Sequence, residues 1–167
     1  MKKRLFLALS VLVLSLLYCV QSTPPASATY YLIRHAEKVI DAGQDPLLRP
    51  EGQARAQRWA EVFSSLPLHA IYSTDYRRTL ATAAPTARAQ GLEIKHYTPG
   101  KVDRAAFLTE TRGQNVLVVG HSNTIPGFVN TLIGADVYEE IAHNNNGNLY
   151  VVTVSGGKAL HHLLHID

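Results

Sequence analysis

Three short clusters in this sequence hold residues that could handle a phosphoryl group. Arg34-His35 follows the apolar run Tyr30-Tyr31-Leu32-Ile33. Ser73 to Arg78 follows Ala70-Ile71-Tyr72. Gly120-His121-Ser122 follows Val116-Leu117-Val118-Val119. Arginine offers a planar fork of donors that matches phosphate oxygens and stays charged at any working pH. Histidine titrates near neutrality and can attack or share a proton. A helix starting near Asn123 would point free N–H groups and the positive end of its dipole at the same place. Together these groups would neutralise the charge on a phosphoryl group in transfer. Each cluster alone also has an ordinary structural reading. Arg34-His35 could be a satisfied pair, Arg77-Arg78 a solvated helix face, and His121 a buried, hydrogen-bonded side chain. The combination carries the expectation.

The elements that must position these clusters follow from apolar periodicity. Tyr30 to Ile33 reads as a buried strand ending in polar groups. Pro50 to about Leu66 is helical, with Ala54, Trp59, Val62, Phe63 and Leu66 at helical spacing and Pro67 closing it. Ala70 to Tyr72 is a second strand. Tyr76 to Gln90 is a helix ended by Gly91 and kinked at Pro85. Leu92 to Tyr97 is a third strand, and Asp103 to about Arg112 a short helix. Asn115 to Gly120 is apolar at every inner position, as in a strand covered on both faces. A helix from about Asn123 to Ile133 stops at Gly134. Asn148 to Val154 and Lys158 to His165 form a hairpin around Gly156-Gly157. This alternation predicts an α/β fold, a three-layer sandwich with a largely parallel central sheet. Ligands bind such sheets beyond the carboxyl ends of the strands, where all three clusters lie.

The clusters also carry a resemblance. Leu32-Ile33-Arg34-His35-Ala36-Glu37-Lys38 resembles the Arg-His-Gly signature of the histidine phosphatase superfamily, the phosphoglycerate-mutase-like proteins, with Ala36 where glycine is commoner. Tyr72 to Ala83 resembles that family's second segment, where the spacing of an arginine from Thr-Ala selects Arg78 rather than Arg77. Val118-Val119-Gly120-His121-Ser122-Asn123 resembles the third. Leu47, Gly52 and Arg55-Ala56 look like the first helix, and the resemblance covers about residues 30–154. It implies that His35 attacks phosphorus in line and becomes phosphohistidine. Arg34, Arg78 and His121 would hold the equatorial oxygens, with Ser122 a further phosphate-binding candidate. Water then hydrolyses the intermediate, and neither metal nor cofactor is required. In one branch an acid directly follows the second histidine. Here Ser122 stands there, so the chain resembles the other branch. The candidates for the acid are then Glu37, Asp103 and Glu110, with Glu37 equally readable as a salt-bridge partner. Its substrate would be a small phosphorylated molecule or a phosphoprotein. A non-catalytic phosphate- or phospho-ligand-binding protein on the same scaffold is the alternative.

Residues 1–28 read as a signal peptide. Lys2, Lys3 and Arg4 precede an uncharged apolar run from Leu5 to Val20, and Ala26-Ser27-Ala28 supplies small residues for a cut. The run has 16 residues, short of the about 20 that a span needs. The expectation is cleavage after Ala28, a phosphatase domain over 29–167 without a stable membrane span, and a secreted or periplasmic location. An uncleaved anchor, or a lipoprotein through Cys19, is the other reading. Gln21 to Thr29 reads as a linker.

The whole chain carries Lys+Arg 16 against Asp+Glu 13. Three of those basic residues and no acidic ones lie in the leader, so the remainder is formally neutral and gives no argument for nucleic acid. The only cysteine, Cys19, also lies in the leader. The remainder can therefore have neither a disulfide nor a thiolate metal site.

Other patterns are set aside. His35-Ala36-Glu37 matches part of a zinc deaminase signature but lacks the later Pro-Cys-x-x-Cys. His161 and His165 share a strand face, most simply an exposed one. Asn144-Asn145-Asn146-Gly147 reads as a turn. Tyr30, Tyr31 and Tyr72 read as core packing.

Overall fold

Val116, Leu117, Val118 and Val119 are all fully buried, because the strand they form is covered on both faces. In the computed structural model, which describes residues 26–40 and 43–167, this strand is β4 (Asn115–Gly120). The other strands are β1 (Ala28–Arg34), β2 (Ala70–Ser73), β3 (Ile94–His96), β5 (Asn148–Ser155) and β6 (Lys158–His165). The helices are α1 (Pro50–Val62), α2 (Arg77–Gln90), α3 (Arg104–Glu110) and α4 (Ile125–Ile133). The sheet order is β3-β2-β4-β1-β5-β6. Strands β1 to β4 run parallel, β5 runs antiparallel to β1, and β6 runs antiparallel to β5.

Alternation along the strands sorts two cores. Tyr30 and Leu32 of β1, Val116 and Val118 of β4 and Tyr72 of β2 pack with Phe107 of α3 and Ile125, Phe128, Val129 and Leu132 of α4. Ile33, Ile71, Leu117 and Val119 point the other way, onto Trp59, Phe63, Ala83 and Ala87 of the α1–α2 layer. This is the expected three-layer α/β sandwich. Two glycines with positive φ, Gly156 (57°) and Gly157 (78°), close the β5–β6 hairpin.

Several expectations need correction. Ala28 and Thr29 belong to β1 rather than to a linker. Ala28 is buried and paired with Val154, and Thr29 bonds the Gln114 carbonyl, so pairing on both sides outweighs their weak strand preference. Helix α1 ends at Val62, with Ser64 Oγ donating to the Glu61 carbonyl in the turn that follows. Helix α2 runs without a break through Pro85. Residues 1–25, including Cys19 and most of the segment read as a signal peptide, lie outside the described residues. Among the described residues no helix is long and apolar enough to cross a membrane.

Candidate active site

Strands β2, β4 and β1 are adjacent and parallel, so their carboxyl ends lie side by side. Register pairs Arg34 with Gly120 and Ser73 with Val119. The three clusters therefore meet in one place, which the sequence reading anticipated.

His35 leaves β1 with its backbone N–H donating to the Gly120 carbonyl at 2.8 Å. Its carbonyl accepts from Asn146 Nδ2 at 2.9 Å. The ring is buried, and Nδ1 lies 2.8 Å from the Ala36 carbonyl. A carbonyl only accepts, so Nδ1 carries the proton, and the Nε2 lone pair has no partner among the described residues. Burial is the main cause that pushes the His35 pKa down to about 3, and the Arg34, His121 and Arg78 charges add to it. The ring is therefore neutral at neutral pH, the state a nucleophile needs.

The His121 ring lies 5.5 Å from that of His35, centroid to centroid. Arg78 Nη2 is 3.3 Å from His121 Nδ1, and Thr74 Oγ1 is 2.9 Å from Nε2. A guanidinium has no lone pair, so Nδ1 accepts and Nε2–H donates to Thr74. Thr74 donates onward to Thr79, whose hydroxyl returns to the Thr74 carbonyl. Burial, then Arg78 and Arg34, lower the His121 pKa to about 4.

Arg34 is buried, and its Nη1 donates to the carbonyls of Ala142, His143 and Asn145 at 2.9–3.0 Å. Arg78 Nη1 faces Asp45 Oδ1 at 3.4 Å, and its guanidinium lies over the Tyr76 ring. The Nε atoms of both arginines are buried without a partner among the described residues. Such donors are costly unless a ligand accepts from them. A cavity of about 470 Å³ opens beside His35, lined by Arg34, His35, Glu37, Lys38, Arg49 and Asn146 among others.

The acid candidates do not share one place. Glu37 lines the cavity, but its Oε1 accepts from Arg55 Nε at 2.8 Å. Asp103 caps α3, accepting from the amides of Ala105 and Ala106. Glu110 accepts from the Tyr72 hydroxyl and pairs with Lys95. Ser122 Oγ donates to Glu140 Oε1 at 3.2 Å, so its proton is committed to a carboxylate. The expected free amides before α4 are also committed: Thr124 and Ile125 both donate to the His121 carbonyl.

Asn146, Thr74, Thr79, Asp45 and Thr82 are the residues that sequence reasoning missed here. Thr82 accepts from the Ala36 amide at 2.9 Å. Asn146 stood inside the asparagine run read as a turn, and its burial is the missing signal. Gly52 has a role that its neighbours explain: a Cβ there would collide with the Glu37 carbonyl, so α1 meets the segment after His35 backbone to backbone.

Residues 30–98 match the sequence profile of the histidine phosphatase superfamily (branch 1). Over those residues this chain is similar to the histidine phosphatase superfamily. Solved histidine phosphatase folds agree. The mycobacterial glucosyl-3-phosphoglycerate phosphatase is 14% identical, with 84% of this chain and 100% of that chain covered and a TM-score of 0.65. The phosphoglycerate mutase from Bacillus anthracis is 14% identical over 86% of this chain and 95% of that one, with a TM-score of 0.65. The protein histidine phosphatase SixA, complexed with tungstate, is 14% identical over 82% and 96%, also with a TM-score of 0.65. No curated protein matches. At these identities the neighbours show the histidine phosphatase fold alone. Together with the family profile they support a phosphatase, a hydrolase.

Proposed function

We propose that this protein is an exported phosphatase that hydrolyses a phosphomonoester or a phosphohistidine through a phosphohistidine intermediate on His35. The observation that carries the reading is the state of the His35 ring. Its Nδ1–H is tied to the Ala36 carbonyl, and its Nε2 has no partner among the described residues, in a ring that feels the charges of Arg34 and Arg78 and lies 5.5 Å from the His121 ring.

In this reading Nε2 attacks phosphorus as the bond to the leaving oxygen breaks. The two unpartnered Nε–H groups of Arg34 and Arg78 meet the phosphoryl oxygens. His121 presents its Nδ1 edge beside them, with Thr74 fixing the ring. Water then takes the phosphoryl group from His35. Cationic side chains supply the charge neutralisation, so the reaction runs without a metal. A small phosphorylated substrate and a phosphoprotein both fit the reading. Export rests on the leader pattern: a basic start, an apolar run and small residues before Thr29.

The test is hydrolysis of p-nitrophenyl phosphate by the purified protein in EDTA, beside His35→Ala. Turnover that resists the chelator and vanishes in the variant is the expected result. Turnover that persists in His35→Ala would sink the phosphohistidine mechanism. No turnover and no labelling of His35 would favour a binding protein.

A further inference from the structure

A second cavity, of about 210 Å³, opens between α4 and the loop that follows β3. It shares no lining residue with the cavity beside His35. The chemistry differs as well. Arg34, Lys38 and Arg49 line the cavity beside His35, whereas no charged side chain lines the second one. Tyr97, Phe128 and Pro99 give it apolar walls, and Asn123 and Thr131 give it polar ones. Burial pushes the Tyr97 phenol above its ordinary pKa, so it too stays uncharged. A charge moved from water into such a place would find no partner, which is costly.

Gly127 faces this cavity from the first turn of α4. Nothing in the fold asks for glycine there. Its φ is not positive, and a Cβ on it would meet no neighbouring atom within 4 Å. Glycine is a poor helix former, so the position costs stability that alanine would not. The missing side chain leaves the cavity open. Gly120 is the contrast, because a Cβ there would collide with the Tyr97 hydroxyl.

The volume is that of roughly seven waters at about 30 Å³ each. That is room for a ring compound rather than a drug-sized molecule. The Tyr97 and Phe128 rings meet edge to face, with centroids 5.4 Å apart, and present ring surface to an occupant. The Asn123 carboxamide has no partner among the described residues. It offers an N–H and a C=O side by side. The edge that complements it is a cyclic amide, whose own N–H and C=O are neighbours.

We propose that this cavity binds a small uncharged heterocycle with a cyclic amide edge. The ring packs against Phe128 and Tyr97, its amide pairs with Asn123, and Gly127 stays bare to admit it. The site does not depend on the phosphatase reading. It is nonetheless joined to the second histidine, since Thr124 in its wall accepts from the His121 amide at 3.1 Å. An occupant is therefore felt at His121.

The test titrates the purified protein with 2-pyridone and follows its backbone amides by NMR. Saturable shifts are expected at Gly100, Gly127 and His121, with a Kd of about 1 mM, within the range for so small a ring. N-Methyl-2-pyridone keeps the ring and loses the N–H, and benzoate adds a charge. Each is expected to bind about tenfold more weakly or worse, the cost of an unmade hydrogen bond or an unpaired charge. Asn123→Ala weakens 2-pyridone by a similar factor. Gly127→Leu removes the shifts, and its unfolding temperature does not fall below that of the wild type. Equal binding of 2-pyridone and its N-methyl derivative overturns the proposal, as do shifts centred on His35 or no shifts at all. So does a Gly127→Leu protein of lower stability, because the glycine would then serve the fold.

Discussion

The Thr74 hydroxyl lies 2.9 Å from His121 Nε2, the ring nitrogen that Arg78 leaves free. This contact fixes the tautomer and presents the other edge of the ring to the arginines. Thr74→Val keeps the shape and deletes the acceptor. It leaves a buried N–H unsatisfied, at about 1–3 kcal/mol. Urea unfolding is expected to show that loss, and imidazole nitrogen NMR to show His121 Nε2 no longer held as the sole protonated nitrogen.

The two neighbouring arginines separate cleanly. Arg78 touches His121, Asp45 and the Tyr76 ring, whereas Arg77 is exposed and gives its backbone amide to Asp45. Arg78→Ala is expected to cost about 100- to 1,000-fold in kcat on p-nitrophenyl phosphate, the loss typical of one oxyanion donor. Arg77→Ala should stay within about threefold, since it removes no donor to the cluster. The reverse order would show that the phosphate ligand had been assigned to the wrong arginine.

Arg34 has a structural task that lysine cannot perform. One Nη1 serves three carbonyls of the 142–145 segment. Arg34→Lys keeps the charge and loses the fork. Amide hydrogen exchange is expected to quicken at residues 141–147 while α1 and α2 stay protected. Unchanged exchange would mean that the clamp does not hold this segment.

Acid acts on the fold through the two histidines. Both folded pKa values, about 3 for His35 and about 4 for His121, lie below the ordinary value of 6.5. Below pH 6.5 the unfolded chain therefore binds protons that the folded one refuses. The stability present above that pH is lost as pH falls toward 4. Each histidine contributes a slope of up to about 1.4 kcal/mol per pH unit. Urea titrations at pH 7 and pH 5 measure it, and His121→Gln is expected to flatten the slope.

The strand-end clusters were legible because local pattern marks them. An apolar run that stops at Arg34-His35, or at Gly120-His121, shows both the strand and its polar end without knowledge of any partner. Contacts across long separations left no such mark. Asn146 reaches the His35 carbonyl over 111 residues, and Thr74 reaches His121 over 47. Each is an ordinary turn or loop residue until the sheet brings it home. The amides before α4 were misjudged for a local reason: the His121 carbonyl takes both Thr124 and Ile125 N–H. The expected acid fared likewise. Asp103 and Glu110 stand in a plausible stretch of sequence, but one caps a helix and the other serves Tyr72 and Lys95.

The place of β1 between β4 and β5 has a consequence for the order in which the protein is made. The strand that carries His35 is synthesised first, yet both of its sheet neighbours come from the second half of the chain. Thr29 aligns with Asn115 on one side and Thr153 on the other. Such distant pairing forms slowly, because long loops must close before any contact rewards them. A nascent chain thus carries His35 long before it has a pocket. A chain halted before residue 142 keeps His35 and Arg34 but lacks the carbonyls on which Arg34 sits and the Asn146 amide that holds the His35 backbone. The site is therefore complete only once the last strands are in place, so no partial product of synthesis carries the whole cluster.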